Sequence, residues 1–405
     1  MTPSPDATFA TRFRAVPSAP PDPILGLVEA FEADPRENKM NLSSGVYKDA
    51  SGITPVLPSV KEAERRLLET ERTKSYLPID GLAGYREQVR RLVFGDRSDP
   101  ASVAIAQTPG GTGALRVAAE FVRDHGGTST VHLPNPTWAN HASIFAAAGL
   151  ATEVYPYLTA DRRGLDFERM LDHLRTAVRP GDAVLLHACC HNPAGIDPTA
   201  DQWRQIAAVL AERQLLPLVD FAYQGFAEGL EEDAAGLRAI LSSVGEAIVC
   251  NSFSKNFGLY SERVGAVSVV TGDADATAAV RSQLKRLIRS NYSNPPRHGG
   301  TIVATILGDD ALRARWREEL DEMRVRIRGL RVAFVGEMKR QAPGHDFSFL
   351  LEQHGMFSFS GLNPMQVDEL KAKHGIYIVG SGRINVAGMT EPGMEYLCRS
   401  IADVL

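Results

Sequence analysis

From residue 103 onward, short unbroken apolar runs alternate with stretches whose apolar positions recur every three or four residues. The runs fall at 129–133, 183–187, 215–219, 247–250 and 266–270. Strands buried on both faces read as such runs, and strands that alternate with helices build a parallel α/β sheet with its chemistry at the strands' carboxyl ends. The last third of the chain changes period. A helical pattern from Asp309 to about Lys339 leads into a strand-like segment at 355–360, a helix over Pro364–His374, and a strand pair at 375–379 and 383–386. Joined by the residues up to about Thr54, this part predicts a smaller α+β domain. The first 20 residues, rich in Pro, Ala, Ser and Thr, carry no period and predict an arm. The expected organisation is an arm at 1–20, a large domain with a mostly parallel mixed sheet at 55–319, and a small domain made of 21–54 together with 320–405.

Composition narrows the partners. Across 405 residues, 44% hydrophobic and 23% charged, there is apolar material for more than one core. A net charge of -5 leaves no basic footprint for nucleic acid or an anionic membrane surface. The one Arg-rich stretch, 312–331, interleaves Glu318, Glu319, Asp321 and Glu322, as the solvated face of a long helix does. No window approaches the roughly 18 apolar residues of a membrane span, and no basic leader precedes an apolar core. The four cysteines show no paired spacing for zinc, so no metal is expected. Together these features predict a cytoplasmic protein.

Three local patterns carry chemistry. Just past the run at 247–250 comes Ser252-Phe253-Ser254-Lys255-Asn256-Phe257-Gly258-Leu259-Tyr260-Ser261-Glu262-Arg263. A lysine in such a loop is ordinarily a solvated surface group. One that must bond a carbonyl carbon needs shielding and a lowered pKa, and a neighbouring phosphate needs a fixed cation and hydroxyl donors. Ser252, Ser254 and Arg263 supply those. Thr108-Pro109-Gly110-Gly111-Thr112-Gly113 turns tightly into a helix, whose free N–H groups and dipole hold a phosphate; it lacks the Lys-Ser/Thr ending of a nucleotide loop. The run at 215–219 delivers Asp220, with Tyr223 three residues on. A carboxylate there can keep a pyridine nitrogen protonated or merely cap a helix.

Taken with further strings, these patterns resemble the aspartate aminotransferase family of fold-type I pyridoxal-phosphate enzymes, in its bacterial aspartate/aromatic branch, over nearly the whole chain. The strings are Asn41-Leu-Ser-Ser-Gly45-Val-Tyr-Lys48, Thr73-Lys-Ser-Tyr76, Pro136-Thr-Trp138-Ala-Asn-His141, His187-Ala-Cys-Cys-His-Asn192, Arg289-Ser-Asn-Tyr-Ser-Asn294 and Ser381-Gly-Arg383-Ile-Asn-Val-Ala-Gly388. The resemblance implies pyridoxal 5'-phosphate carried on Lys255, which would also shuttle the substrate's α-proton. It implies Asp220 at the pyridine nitrogen, oriented by His141, with Tyr223 and Asn192 on the phenolic oxygen and Trp138 stacked on the ring. The phosphate would lie among Gly111, Thr112, Ser252 and Arg263, with Tyr76 reaching in from a second subunit of a homodimer. Arg383 would clamp the α-carboxylate, Arg289 of the neighbour would meet a distal carboxylate, and Gly45 would let the backbone close over the substrate. His187 is expected near the site either as a structural or as a supporting group.

The implied reaction moves the amino group of aspartate, or of an aromatic amino acid, to 2-oxoglutarate. Val46, Lys48, Thr54, Thr112 and Asn294 favour aspartate, whereas the hydroxyl of Ser44, where relatives carry an apolar side chain, bears on fine specificity. Ala194 replaces the Thr common in its turn and is expected to be harmless.

Overall fold

The computed structural model describes residues 13–20, 22, 24–95 and 99–405. Most of the predicted arm, residues 1–12, lies outside them, and residues 13–20 are exposed. The strands are β1 (Met40–Asn41), β2 (Val103–Pro109), β3 (Thr130–Asn135), β4 (Ala151–Pro156), β5 (Ala183–His187), β6 (Leu216–Phe221), β7 (Ala247–Ser252), β8 (Val264–Val270), β9 (Phe357–Phe359), β10 (Ile376–Tyr377) and β11 (Arg383–Asn385).

Seven of them form one sheet in the order β2-β8-β7-β6-β5-β3-β4. All neighbours are parallel except at β8, which runs antiparallel to both β2 and β7. The reversal follows from chain length: only residues 253–263 join β7 to β8, too few for the helical crossover that a parallel neighbour needs. β2 therefore points the same way as β7, and its carboxyl end lies on the same edge as those of β5 and β6. Alternate residues of each strand enter two separate cores. Ala104, Leu185, Leu218 and Ile248 pack on one face, and Ile105, Leu186, Val219 and Val249 on the other. β4 shows no apolar run because it is an edge strand with one fully buried residue, Tyr155.

The small sheets correct one expectation. The strands at 376–377 and 383–385 do not pair with each other: β10 lies parallel to β1 and β11 lies antiparallel to β9. Leu42 separates them, donating its N–H to Tyr377 O and accepting from Asn385 N, both at 2.8 Å. Sequence neighbours joined by a turn invite a hairpin reading, but a remote segment here supplies the ladder.

The helix predicted from Asp309 runs over Asp310–Gln341, and so passes through the boundary expected at 319/320. Its buried apolar residues, Leu312, Trp316, Leu320, Met323, Ile327, Leu330, Phe334 and Met338, recur every three or four positions, and most charged residues take the other face, with Arg331 and Glu337 buried. Trp316, fully buried, stacks on Phe257 with ring centroids 4.4 Å apart and donates from Nε1 to Asn256 O at 2.7 Å. The helix is thereby pinned to the two residues that follow Lys255. Trp316→Ala should cost about 3–5 kcal/mol of unfolding free energy in urea titrations, as large-to-small changes in a closed core do. A loss under about 1 kcal/mol would show that this stack does not anchor the lysine loop.

Candidate active site

One cavity, with a volume of about 220 Å³, opens at the carboxyl edge of the sheet, and Gly111, Thr112, Trp138, Asn192, Asp220, Tyr223, Ser252, Lys255, Arg263 and Arg383 all line it, with Gly45. Most of the residues come from the carboxyl ends of five strands of the large sheet, β2, β3, β5, β6 and β7, and the loops that follow them, where a parallel sheet leaves its chemistry accessible; Arg383 and Gly45 are brought up from outside that sheet.

At one end the helix Gly110–His125 starts directly after β2, with the unpaired N–H groups of its first turn at the cavity wall. Gly110 has φ +74°, and a Cβ there would lie 2.5 Å from Arg263 Nη2; a Cβ on Gly111 would come within 3.0 Å of Ser252 Cβ. The two glycines thus let a guanidinium and a serine close on the helix start. Arg263 is steadied by Tyr260 O at 2.9 Å and Ser254 Oγ at 3.4 Å from its Nη1. Helix amides, hydroxyls and a guanidinium together form a cradle for a phosphate.

In the middle, the Lys255 Nζ stands 5.2 Å from the centre of the Tyr223 ring. Burial pushes its pKa down to about 8, Asp220 opposes that shift and Arg263 adds to it. Asp220 ends β6 and accepts from His141 Nε2 at 3.1 Å, while His141 Nδ1 meets Thr137 Oγ1 at 2.8 Å. Burial pushes the Asp220 carboxyl up, but the His141 hydrogen bond, the potential of the His141 ring and the Lys255 ammonium outweigh it, so it lies below the ordinary carboxylate value. Tyr223 is buried and its hydroxyl accepts from Asn192 Nδ2 at 3.4 Å; burial holds the phenol well above its usual pKa. Asn192 Oδ1 is buried without a partner among the described residues. Trp138 sets its ring edge-on to His141, centroids 5.2 Å apart.

At the far end Arg383, on β11, is 4% exposed. Its Nη2 donates to Ser43 O at 2.6 Å and its guanidinium carbon lies 4.3 Å from the Phe357 ring centre. Burial lowers its pKa to about 10, which leaves it charged at neutral pH, and Nε is buried without a partner among the described residues. Gly45 faces the same ring so closely that a Cβ there would lie 3.1 Å from Phe357 Cζ.

Four predicted residues stand elsewhere. His141 lies behind Asp220. His187 packs against it, ring centroids 5.4 Å apart, and burial together with His141 pushes its pKa down to about 3, so it is neutral. Tyr76 is 92% exposed, and Arg289 lies exposed in the last turn of Ala274–Asn291, bonded to Ser293 Oγ. Neither reaches the cavity of its own chain. Sequence reasoning missed Phe357 and Ile24, which also line the cavity. Phe357 is one of several alternating apolar residues in 356–362, and nothing local separates a wall of the site from core packing. Ile24 follows a Pro at the start of a short helix and shows no chemical signal.

The chain matches the family model described as aminotransferase class I and II over residues 37–401. It is 53% identical to the aspartate aminotransferase of Haemophilus influenzae over 97% of this chain and 100% of that one. It is 47% identical to the aromatic-amino-acid aminotransferase of Pseudomonas aeruginosa, covering 97% of this chain and 99% of the relative. The crystal structure of an aromatic-amino-acid aminotransferase from Burkholderia pseudomallei, covalently bound to pyridoxal phosphate, superposes with a TM-score of 0.94 at 47% identity, over 98% of this chain and 100% of that one.

The amine and carboxylate geometry generates a test. With no carbonyl compound bound, acylation of Lys255 across a pH series, read by peptide mapping, should titrate near pH 8, against about 10.4 for exposed lysines. Protonating Lys255 opposes folding below pH 8, and that penalty fades as the pH rises toward the unfolded value. Asp220→Asn removes an attraction for the ammonium and should move the midpoint lower still. A midpoint that stayed or rose would mean that the carboxylate does not act on this amine.

Proposed function

The chain belongs to the class I and II aminotransferases, and from that premise we propose that it moves the amino group of aspartate to 2-oxoglutarate in two half-reactions, with aromatic amino acids as further donors. One observation carries the reading: a single cavity holds an amine with a pKa of about 8, a buried ionised carboxylate, a phosphate cradle and a buried arginine. The enzyme uses pyridoxal phosphate, and this cavity fits it. The glycines at 110 and 111 clear space for a phosphate beside Arg263 and Ser252, and Asn192 Oδ1 and the Tyr223 hydroxyl stand ready for a phenolic oxygen.

Bound pyridoxal phosphate supplies an electron sink for the pair left when a substrate's Cα gives up its proton. Asp220 would hold a proton on the ring nitrogen, because its carboxyl stays ionised and His141 fixes its orientation. Trp138 would cover one ring face and exclude water. Lys255 Nζ would carry the cofactor between turnovers and, when freed by the incoming amine, take the α-proton and return it. A pKa near 8 suits that exchange, since the amine is available as a base close to neutral pH. Arg383 would clamp the α-carboxylate as a fork, its direction set by Ser43 O and the Phe357 ring.

Aspartate preference is supported by Val46, Lys48, Thr54, Thr112 and Asn294, and by the name of the Haemophilus relative. A second reading, an aromatic amino acid aminotransferase, draws on the apolar wall of Trp138, Phe357, Ile24 and Leu115 in the cavity. Both readings need a second subunit. Tyr76 and Arg289 are exposed and point to a homodimer in which each completes the neighbour's site, Tyr76 at the phosphate and Arg289 at a distal carboxylate. Four buried free cysteines suit a reducing cytoplasm.

Subunit exchange tests the sharing. Mixing inactive Lys255→Ala and Arg289→Ala chains should restore aspartate turnover, because one site in each heterodimer then has both an intact lysine and an intact partner arginine. No recovery after verified exchange would place Arg289 in its own subunit's site. Specificity is tested by Arg289→Leu. A desolvated charge pair that loses one partner costs about 2–5 kcal/mol, or roughly 30-fold to several thousand-fold in kcat/KM. Single-turnover absorbance should show the aspartate half-reaction reduced by that factor and the phenylalanine half-reaction unchanged or improved. Equal losses for both donors would remove Arg289 as the side-chain selector.

A further inference from the structure

A second cavity, of about 400 Å³, shares no residue with the one around Lys255. It opens where the loop after Tyr223 meets the helix Asp310–Gln341 and the segment 351–355, and its size falls in the usual range of small-molecule sites, about 300–1,000 Å³. Three of its buried polar atoms have no partner among the described residues. Gln353 is 3% exposed, yet neither Oε1 nor Nε2 has a hydrogen-bond partner among the described residues, and Arg331, 5% exposed, has its Nε in the same condition. Buried polar atoms are normally paired, so a ligand or solvent must meet these three. The Arg331 Nη2 is committed: it donates to Gly355 O at 2.7 Å, Phe357 O at 3.1 Å and Ser358 Oγ at 3.3 Å. It makes no ion pair among the described residues, and burial lowers its pKa to about 10.

The charges at the mouth are of both signs. Arg324 pairs with Asp321 at 2.8 Å and Glu228 faces His354 at 3.4 Å. That leaves Arg328 and Glu352, both exposed and without an ion pair among the described residues. Apolar surface from Phe226, Ile327 and Val332 completes the wall. A simple anion would suit Arg328, Arg331 Nε and Gln353 Nε2, but it would face Glu352 and leave Gln353 Oε1 unmet. A zwitterion with an apolar body answers every group.

We propose that this cavity is a binding site for a free α-amino acid with an apolar or aromatic side chain. Its carboxylate lies toward Arg328, Arg331 Nε and Gln353 Nε2, its ammonium toward Glu352 and Gln353 Oε1, and its side chain against the Phe226 and Val332 wall.

Borohydride-reduced holoenzyme carrying Arg383→Ala cannot turn over an amino acid and lacks the carboxylate clamp of the catalytic cavity, so binding at the outer cavity can be read alone. It is titrated by calorimetry with L-phenylalanine, 3-phenylpropionate and 2-phenylethylamine, in that background alone and with Arg328→Glu or Val332→Trp added. Both substitutions fall at exposed positions on one helix, and unchanged melting and cofactor absorbance confirm folding. The expected result is a phenylalanine-binding component weakened about tenfold or more by each substitution, with each one-charge probe weaker than phenylalanine by a similar factor. If either substitution leaves the phenylalanine isotherm unchanged, or no binding is detected, the site is refuted. If 3-phenylpropionate binds as tightly as phenylalanine, the zwitterion assignment is overturned.

Discussion

Keeping the Asp220 carboxylate ionised inside the protein is the constraint from which the rest of the site follows. Burial alone would neutralise it. His141 opposes this with a hydrogen bond at 3.1 Å, and can do so only because Thr137 holds its other nitrogen at 2.8 Å and His187 packs against its ring. The carboxylate in turn sets the neighbouring amine. Without its charge, desolvation and Arg263 would push Lys255 lower still. The balance leaves an amine that can exchange a proton near neutral pH, beside a carboxylate that does not accept one there.

The second cation of the site is governed by backbone instead of carboxylate. Arg383 has no acidic partner within ion-pair distance among the described residues, and it is oriented by Ser43 O and stacked on Phe357. That arrangement keeps its charge uncancelled for an incoming carboxylate. It also explains the irregular pairing of the small sheets. Asn385, two residues after Arg383, donates from Nδ2 to Ser44 O at 2.6 Å and Val46 O at 2.8 Å, so the strand bearing the arginine and the segment bearing Ser43 and Gly45 are locked together. A hairpin between β10 and β11 would have left segment 40–46 without this attachment.

Much of this was legible in the chain because the chemistry sits in contiguous strings. The lysine loop, the glycine turn and the strand bearing Asp220 each follow an apolar run, and a parallel sheet carries such strand ends to one edge. What was not legible depended on contacts between distant segments. The antiparallel reversal at β8 is set by a connection length, which an apolar run does not display. The partner of β10 is more than 300 residues away. Phe357 looks like any alternating core residue until Gly45 and Arg383 are placed against it, and β4 carries no apolar run because it is an edge.

The segment 353–359 joins the two cavities physically. Gln353 and Gly355 line the outer one, Phe357 lines the inner one, and Arg331 grips the carbonyls of Gly355 and Phe357 together. Gly355 adopts φ +75°, and a side chain there would collide with Cys190, two residues before Asn192. The strand end that carries Asn192 is therefore packed against the same few residues that border the outer cavity. The His354 N–H donates to Gly195 O at 2.6 Å and closes that contact from the other side. Close packing of this kind passes on displacement, since a shift of segment 353–355 cannot be absorbed without moving Phe357 or the Asn192 loop. A group that fixed Gln353 and Arg331 would thus bear on the wall that faces Arg383, through backbone hydrogen bonds and a glycine contact.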